Sequence, residues 1–159
     1  MFPFSEFHYS SLPEVMFQLT LATFLGICIG IERELARKTA GLRTYALVSM
    51  GSALFTVLSR TALAEFIGSQ GYDPSRIASQ ILVGIGFIGA GVIIFSPHEE
   101  RVKGITTAAS IWVSAAVGMS VGYRMYSVAA FATLLVILIL MVLWWFEFKV
   151  IKPISGKRP

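Results

Sequence analysis

Five apolar stretches, Val15–Ile31, Thr44–Ser59, Ile77–Phe95, Ile105–Tyr123 and Met125–Phe146, divide this chain of 159 residues almost from end to end. None of them contains Asp, Glu or Lys. A hydrocarbon layer about 30 Å thick is crossed by roughly 20 apolar residues in a helix, and by fewer where flanking side chains reach out to the interface. Each stretch is therefore long enough, or nearly so, to cross a bilayer. In lipid every backbone N–H and C=O must be bonded within the protein, and a long apolar stretch achieves that as an α-helix. The expected fold class is all-α: a polytopic membrane protein of five transmembrane helices, at about 13–38, 42–66, 74–95, 105–122 and 125–147. They form one membrane domain over 1–148, followed by a short basic tail at 149–159.

Composition removes the main alternative. Hydrophobic residues make up 55% of the chain and charged residues 14%, with a mean hydropathy of +0.74. A soluble domain of this size could not hide so much apolar surface. The basic balance, with a pI near 9.5, would suit nucleic acid, but the placement of the charges explains it better. With five crossings, loops 32–43 and 96–104 and the tail share one side and hold ten Lys and Arg residues. Arg60, Arg76 and Arg124 make three on the other. Basic residues are retained on the cytoplasmic side, so the N-terminus is expected outside and the C-terminus in the cytoplasm. The localisation expected is the inner membrane of a bacterium, with no nucleic-acid partner.

The start is rich in aromatics (Phe2, Phe4, Phe7, Tyr9), which suits a segment at the interface, and lacks the basic region of a cleaved signal peptide. Trp144, Trp145 and Phe146 form an aromatic belt at the other end. Ser11-Leu-Pro-Glu14 has the spacing of a capping box for helix 1. Gly41 is a stop or restart signal, Asp73-Pro74 opens helix 3, Pro97 ends it, Gly104 opens helix 4, and Gly122–Arg124 makes a tight turn. Cys28 is the sole cysteine and is expected to be a small packing residue. Thr133–Met141 is nearly all Leu, Ile and Val, which puts helix 5 at the lipid-facing rim. Helices 1 to 4 are expected in the packed centre. A shift of 63 residues aligns Gly26 with Gly89, Gly41 with Gly104 and Thr44 with Thr107, a weak parallel repeat of helix pairs.

Several groups could carry function. Gly84, Gly86, Gly89 and Gly91 contain a G-x-G-x-x-G string, but inside a membrane helix it lacks the preceding strand that a dinucleotide site needs. Close helix packing is the favoured reading, and a local break exposing carbonyls is the functional one. Glu32 follows helix 1, where a helix C-terminus disfavours a carboxylate without a partner. Arg43 is the candidate partner, in a hairpin-fixing ion pair or at the mouth of an ion path. Thr106, Thr107 and Ser110 on helix 4, with Thr44 and Ser49 on helix 2, either bond back to their helices or across to a neighbour, or hold an anion at paired N-termini. Gln80 needs a partner if buried, and Trp112 reads as packing or anchor. His8 and His98 are isolated. The residues include no hydrolase triad, zinc spacing or P-loop, so an enzyme and a cofactor are not expected, and a metal ligand set is not defined.

The ordered blocks Gly30-Ile-Glu-Arg-Glu34, Ala40-Gly-Leu-Arg-Thr44, Arg76-Ile-Ala-Ser-Gln80, Gly84–Val92 and Val102–Trp112 resemble the MgtC/SapB family of bacterial inner-membrane proteins. The resemblance covers residues 14–122. It implies a five-helix membrane domain with a cytoplasmic C-terminus. It also implies a link to growth in low magnesium and to survival of pathogens in macrophages, through regulation of membrane energetics at the F-type ATP synthase. Many members continue into a cytoplasmic ACT-like domain, whereas this sequence resembles only the membrane half. Glu32, Arg43, Thr44, Gln80, the Gly84–Gly91 run, Thr107 and Trp112 are the motif positions it marks. The expectation is a non-enzymatic protein supporting magnesium or stress homeostasis through membrane partners such as the ATP synthase, in a homo-oligomer with a dimer favoured. The alternative is a small homo-oligomeric ion channel or transporter for magnesium or another cation.

Overall fold

A computed structural model describes residues 11–62, 75–96 and 101–151. The readings made for the aromatic start, for 63–74, for Pro97 to Glu100 and for the tail beyond 151 lie outside these residues. The described chain is mostly helical: α1 (Leu12–Leu35), α2 (Leu42–Ala62), α3 (Ser75–Gly91), α4 (Ile105–Gly122) and α5 (Tyr126–Leu138). α5 runs on through a π turn at Ile139–Leu143, a short α segment at Trp144–Phe146 and a second π turn at Glu147–Ile151.

Among the described residues, four helical runs are long and apolar enough to cross a membrane: Leu12–Leu35, Leu42–Thr61, Ile105–Gly122 and Tyr126–Phe146. α3, with 17 residues, is the exception to the expected five. At about 1.5 Å per residue it reaches only about 26 Å, short of the roughly 30 Å hydrocarbon layer. The apolar pattern runs on to Phe95, but the helix stops at Gly91. Val92 and Ile93 turn back on the carbonyls of Gly89 and Ala90. Ile94–Ser96 (β1) then pairs antiparallel with Arg101–Lys103 (β2), Phe95 opposite Val102. β-branched residues suit this ribbon at least as well as a helix end, and an apolar run alone does not separate the two. A two-stranded ribbon therefore replaces part of the polar loop, and the fold is not purely α. Gly104 closes the ribbon with φ +93°, and the Val92 carbonyl lies where its Cβ would stand, so this position is restricted to glycine.

Two helix ends share one device. After α1, Arg37 adopts φ 51°, and the N–H groups of Lys38 and Arg37 donate to the carbonyls of Arg33 and Glu34. After α4, Arg124 adopts φ 64°, with Met125 and Arg124 donating to Ser120 and Val121. Both are Schellman caps, in which the left-handed residue is usually glycine. Here arginine stands there, at a cost of about 1 kcal/mol each, and Gly122 lies inside its helix. Helix 1 thus ends at Leu35, short of Lys38. The capping box is also replaced: Ser11 is the N-cap but its side chain makes no cap, and Glu14 instead pairs with Arg124. That ion pair ties the start of α1 to the α4–α5 turn.

The core is built by α1, α2 and α4, with one stripe of α5 against it. Ala22, Ile29, Tyr45, Ala53, Ile111, Ala115, Val121 and Ala129 are wholly buried. Along α5 and its π turn Ala129, Thr133, Val136 and Leu140 are buried, one residue per turn, Tyr126, Ala132 and Ile137 are half-buried beside them, and the other side chains are exposed. Helix 5 is a rim helix. α3 also lies at the edge, not in the packed centre: Val83, Phe87 and Ile88 are exposed, and among its described side chains Ile85 and Gly89 alone are buried. Gly41 and Gly104 do occupy equivalent places at the starts of α2 and α4. The repeat ends there, since α1 joins α2 through a helix cap and α3 joins α4 through the ribbon.

Candidate functional site

The polar residues of the bundle fall into three places, and they differ in how well they are matched. The first is a seam between α2 and α4. Ser49, Ser52, Thr56 and Ser59 lie on one face of α2, and all are buried. Thr107, Ser110 and Ser114 answer them from α4, with Tyr45 at the end of the row. Tyr45 Oη and Ser110 Oγ are 2.6 Å apart, and Ser114 Oγ donates to the Tyr45 carbonyl at 3.3 Å. Thr56 Oγ1 donates to the Ser52 carbonyl, within its own helix. The helices approach closely because glycines face the hydroxyls. A Cβ on Gly118 would overlap the Ser49 backbone, and one on Gly122 would come within 2.6 Å of Thr56 Cβ. Gly26 of α1 is pressed likewise on α2, where a Cβ would come within 2.5 Å of the Tyr45 carbonyl oxygen. Small residues that bring backbones together are the usual packing device where lipid removes the hydrophobic drive. The seam is polar yet sealed. It leaves Ser49 Oγ and Ser52 Oγ buried without a partner among the described residues, as is Gln18 Oε1 on α1, whose Nε2 donates to the Val121 carbonyl at 3.2 Å.

The second place is the basic end, where α1 turns into α2. Arg33 is only 2% exposed and is held by the carboxylate of Glu32, in two contacts. The expected partner, Arg43, is exposed instead. A guanidinium buried this deeply requires an adjacent counter-charge, and Glu32 is the nearest acid in the chain. Glu34 links the two helices. Its carboxylate fills the space beside Gly41 and accepts from the Leu42 N–H at 3.3 Å, from eight residues away. An acid at a helix N-terminus is favourable. Thr44 is half-buried beside it, and Thr106 is exposed on the first turn of α4. Of the hydroxyls marked by sequence, Thr107, Ser110 and Ser49 lie in the seam.

The third place is the outer side of α3. Cβ atoms on Gly84, Gly86 and Gly91 would meet nothing within 4 Å. Only Gly89 packs, with a Cβ position 3.6 Å from Ala108. The glycine run therefore does not serve close packing within the chain, as the pattern suggested. The packing glycines are Gly26, Gly30, Gly118 and Gly122, none of which stands in a run. α3 is continuous from Ser75 to Gly91, with no break that exposes carbonyls. Gln80 is exposed at the edge of a groove of about 600 Å³ between α2 and α3, together with Ser52, Phe55, Gly84 and Ile88. Trp112, 48% exposed, lies on the outward side of α4. Among the described residues no three His, Cys, Asp or Glu side chains are grouped to hold a metal ion.

A sealed bundle with a mostly lipid-facing surface defines a polytopic helical membrane protein. Comparison with known proteins specifies it further: a profile of the MgtC family matches residues 19–148, and the chain belongs to that family. It is 42% identical over 138 residues to YhiD of Escherichia coli K12, named "Putative magnesium transporter YhiD", covering 86% of this chain and 63% of that protein. It is 40% identical over 129 residues to protein SapB of Bacillus subtilis, covering 80% of this chain and 55% of SapB. Protein MgtC of Brucella abortus strain 2308 is 43% identical over 116 residues, 73% of this chain and 45% of that protein. The chain thus spans about half to two thirds of the length of these relatives. No solved structure matches it.

Proposed function

We propose that this protein is a non-enzymatic membrane component that supports magnesium or stress homeostasis by docking onto another membrane protein through the outer side of α3. The observation that carries this reading is the contrast in glycine use: Gly84, Gly86 and Gly91 are open while Gly118 and Gly122 are packed. Gly84 and Gly91, seven residues apart, share a helix face with the exposed Gln80 amide, the kind of surface on which a second transmembrane helix packs and hydrogen-bonds. The membrane sector of the F-type ATP synthase is the partner that the family resemblance favours. The ten-to-three distribution of basic residues supports a bacterial inner-membrane orientation with an outside N-terminus and a cytoplasmic C-terminus. The test places a photo-cross-linking amino acid at Phe87, which is 79% exposed. In native membranes it should yield an adduct with an ATP synthase membrane subunit, and Gly84→Leu should abolish it. Unchanged ATP-driven proton pumping together with no such adduct would defeat the reading.

The second reading is a magnesium-conducting homo-oligomer, with a dimer favoured. It draws on the name carried by YhiD and on the unpartnered oxygens of Gln18, Ser49 and Ser52. The tight α2–α4 contact weighs against a path through one chain, so conduction would need a subunit boundary. Flux through proteoliposomes that Gln80→Leu abolishes would favour this reading.

A further inference from the structure

A second groove, of about 810 Å³, lies on the opposite side of α1 from the seam, between the last turns of α1 and the π-wound end of α5. Its walls are apolar and aromatic: Ile31 and Leu35 from α1, and Ile137, Met141, Trp144 and Trp145 from α5. All the residues of its α5 wall from Met141 onward belong to, or follow, the π turn at Ile139–Leu143. π turns are rare, shift side chains off the α-helical register, and gather at functional sites. Trp144 and Trp145, which follow the π turn directly, line the groove.

The mouth is also charged in one sense. Arg37 lines it, fixed by its left-handed cap geometry rather than left on a free chain. Lys149 stands over the Trp145 ring, its Nζ 5.2 Å from the centroid. Lys38 follows Arg37 on the exposed turn. Glu32 also lines the groove, but its carboxylate is engaged by the buried Arg33, so that pair is neutral. Arg37, Lys38 and Lys149 outnumber the one remaining acid on this stretch of α5, Glu147.

We infer that this groove is a binding site for one anionic phospholipid, its acyl chain laid against Ile31, Leu35, Ile137 and Met141 and its phosphate held by Arg37 and Lys149. The volume falls within the range of roughly 300–1,000 Å³ typical of ligand sites. The apolar walls run into the depth of the bilayer and the cations sit at its edge, beside tryptophans that favour the headgroup level. A basic rim over an apolar slot between transmembrane helices is the arrangement that selects anionic headgroups. A soluble anion would gain nothing from the apolar walls, and a neutral lipid nothing from the rim. The site is independent of the α3 surface.

The chain with Trp112→Phe, which leaves only the two groove tryptophans to fluoresce, is reconstituted in nanodiscs with tail-brominated phosphatidylglycerol or tail-brominated phosphatidylcholine. Brominated phosphatidylglycerol should quench at a severalfold lower mole fraction. Each of Arg37→Gln and Lys149→Gln should reduce that preference by about fivefold, and the exposed Lys149→Gln change serves if the double variant folds poorly. Native mass spectrometry should retain one phosphatidylglycerol per chain, lost when Ile137→Phe and Met141→Phe fill the slot. Equal quenching by the two lipids, or a preference unmoved by both charge changes, would overturn the inference. A lipid-free dimer mass that the filling changes convert to monomer would overturn it too, and assign the groove to a second copy of the chain.

Discussion

The α2–α4 seam and the outer side of α3 are both rich in glycine and both carry polar side chains, yet they are built to opposite ends. In the seam, Gly118 and Gly122 let two backbones meet and the hydroxyls of Tyr45, Ser110 and Ser114 bond across. On α3, Gly84, Gly86 and Gly91 face open space and Gln80 is exposed. Glycine in a helix costs about 1 kcal/mol relative to alanine unless something uses the missing side chain. The seam recovers that cost inside the chain, whereas α3 recovers it only if another helix or subunit comes to lie there.

The sharpest way to break this comparison is a bulky residue on each side. Gly118→Leu must displace the Ser49 backbone and should destabilise the protein by about 3 kcal/mol or more, or prevent folding. Gly84→Leu should change stability by no more than about 0.5 kcal/mol while abolishing partner contact. Unfolding in detergent micelles followed by circular dichroism would measure both. Next in size is the basic end, where Glu32→Ala leaves the buried Arg33 guanidinium unpaired and should cost about 3–5 kcal/mol. Restoring much of that loss with Arg33→Met in the same chain would show that the charge, not the lost side chain, was responsible. Glu14→Gln removes a partly exposed pair with Arg124 and should cost at most about 1 kcal/mol. Tyr45→Phe leaves Ser110 its bond to the Thr107 carbonyl at 3.0 Å, so a loss of about 1 kcal/mol is expected. The smallest effect should be a gain: Gly86→Ala, with nothing near its Cβ, should stabilise the isolated chain by up to about 1 kcal/mol. A loss there would show that α3 is packed in the purified protein.

The membrane class was plain in the sequence because apolar length and the absence of acids report on lipid directly. α5 declared its rim position through its unbroken Leu, Ile and Val. The end of α3 was not legible, because Val92–Phe95 is equally apolar as helix or strand and only its pairing with Arg101–Lys103 decides. Thr107 was found because a hydroxyl at a helix start in lipid needs a partner. Tyr45 was missed because its role depends on meeting Ser110, 65 residues away. Glu32 was marked as an acid in need of a cation with Arg43 as the candidate, but the contact falls to the adjacent Arg33, whose burial no spacing announces. The packing role of glycine was assigned to the conspicuous run, while single glycines such as Gly118 do it. Spacing shows how many small residues share a helix face, and only the neighbouring helix shows which are covered.

We propose a bundle closed to ions whose open α3 side serves contact. Magnesium flux into proteoliposomes, measured beside a monovalent cation with Glu32→Gln and Gln80→Leu as controls, tests it most directly. Folded, oriented protein should carry no flux above protein-free vesicles, and neither substitution should alter that. Magnesium entry that both substitutions abolish would contradict the account and make this protein a transporter.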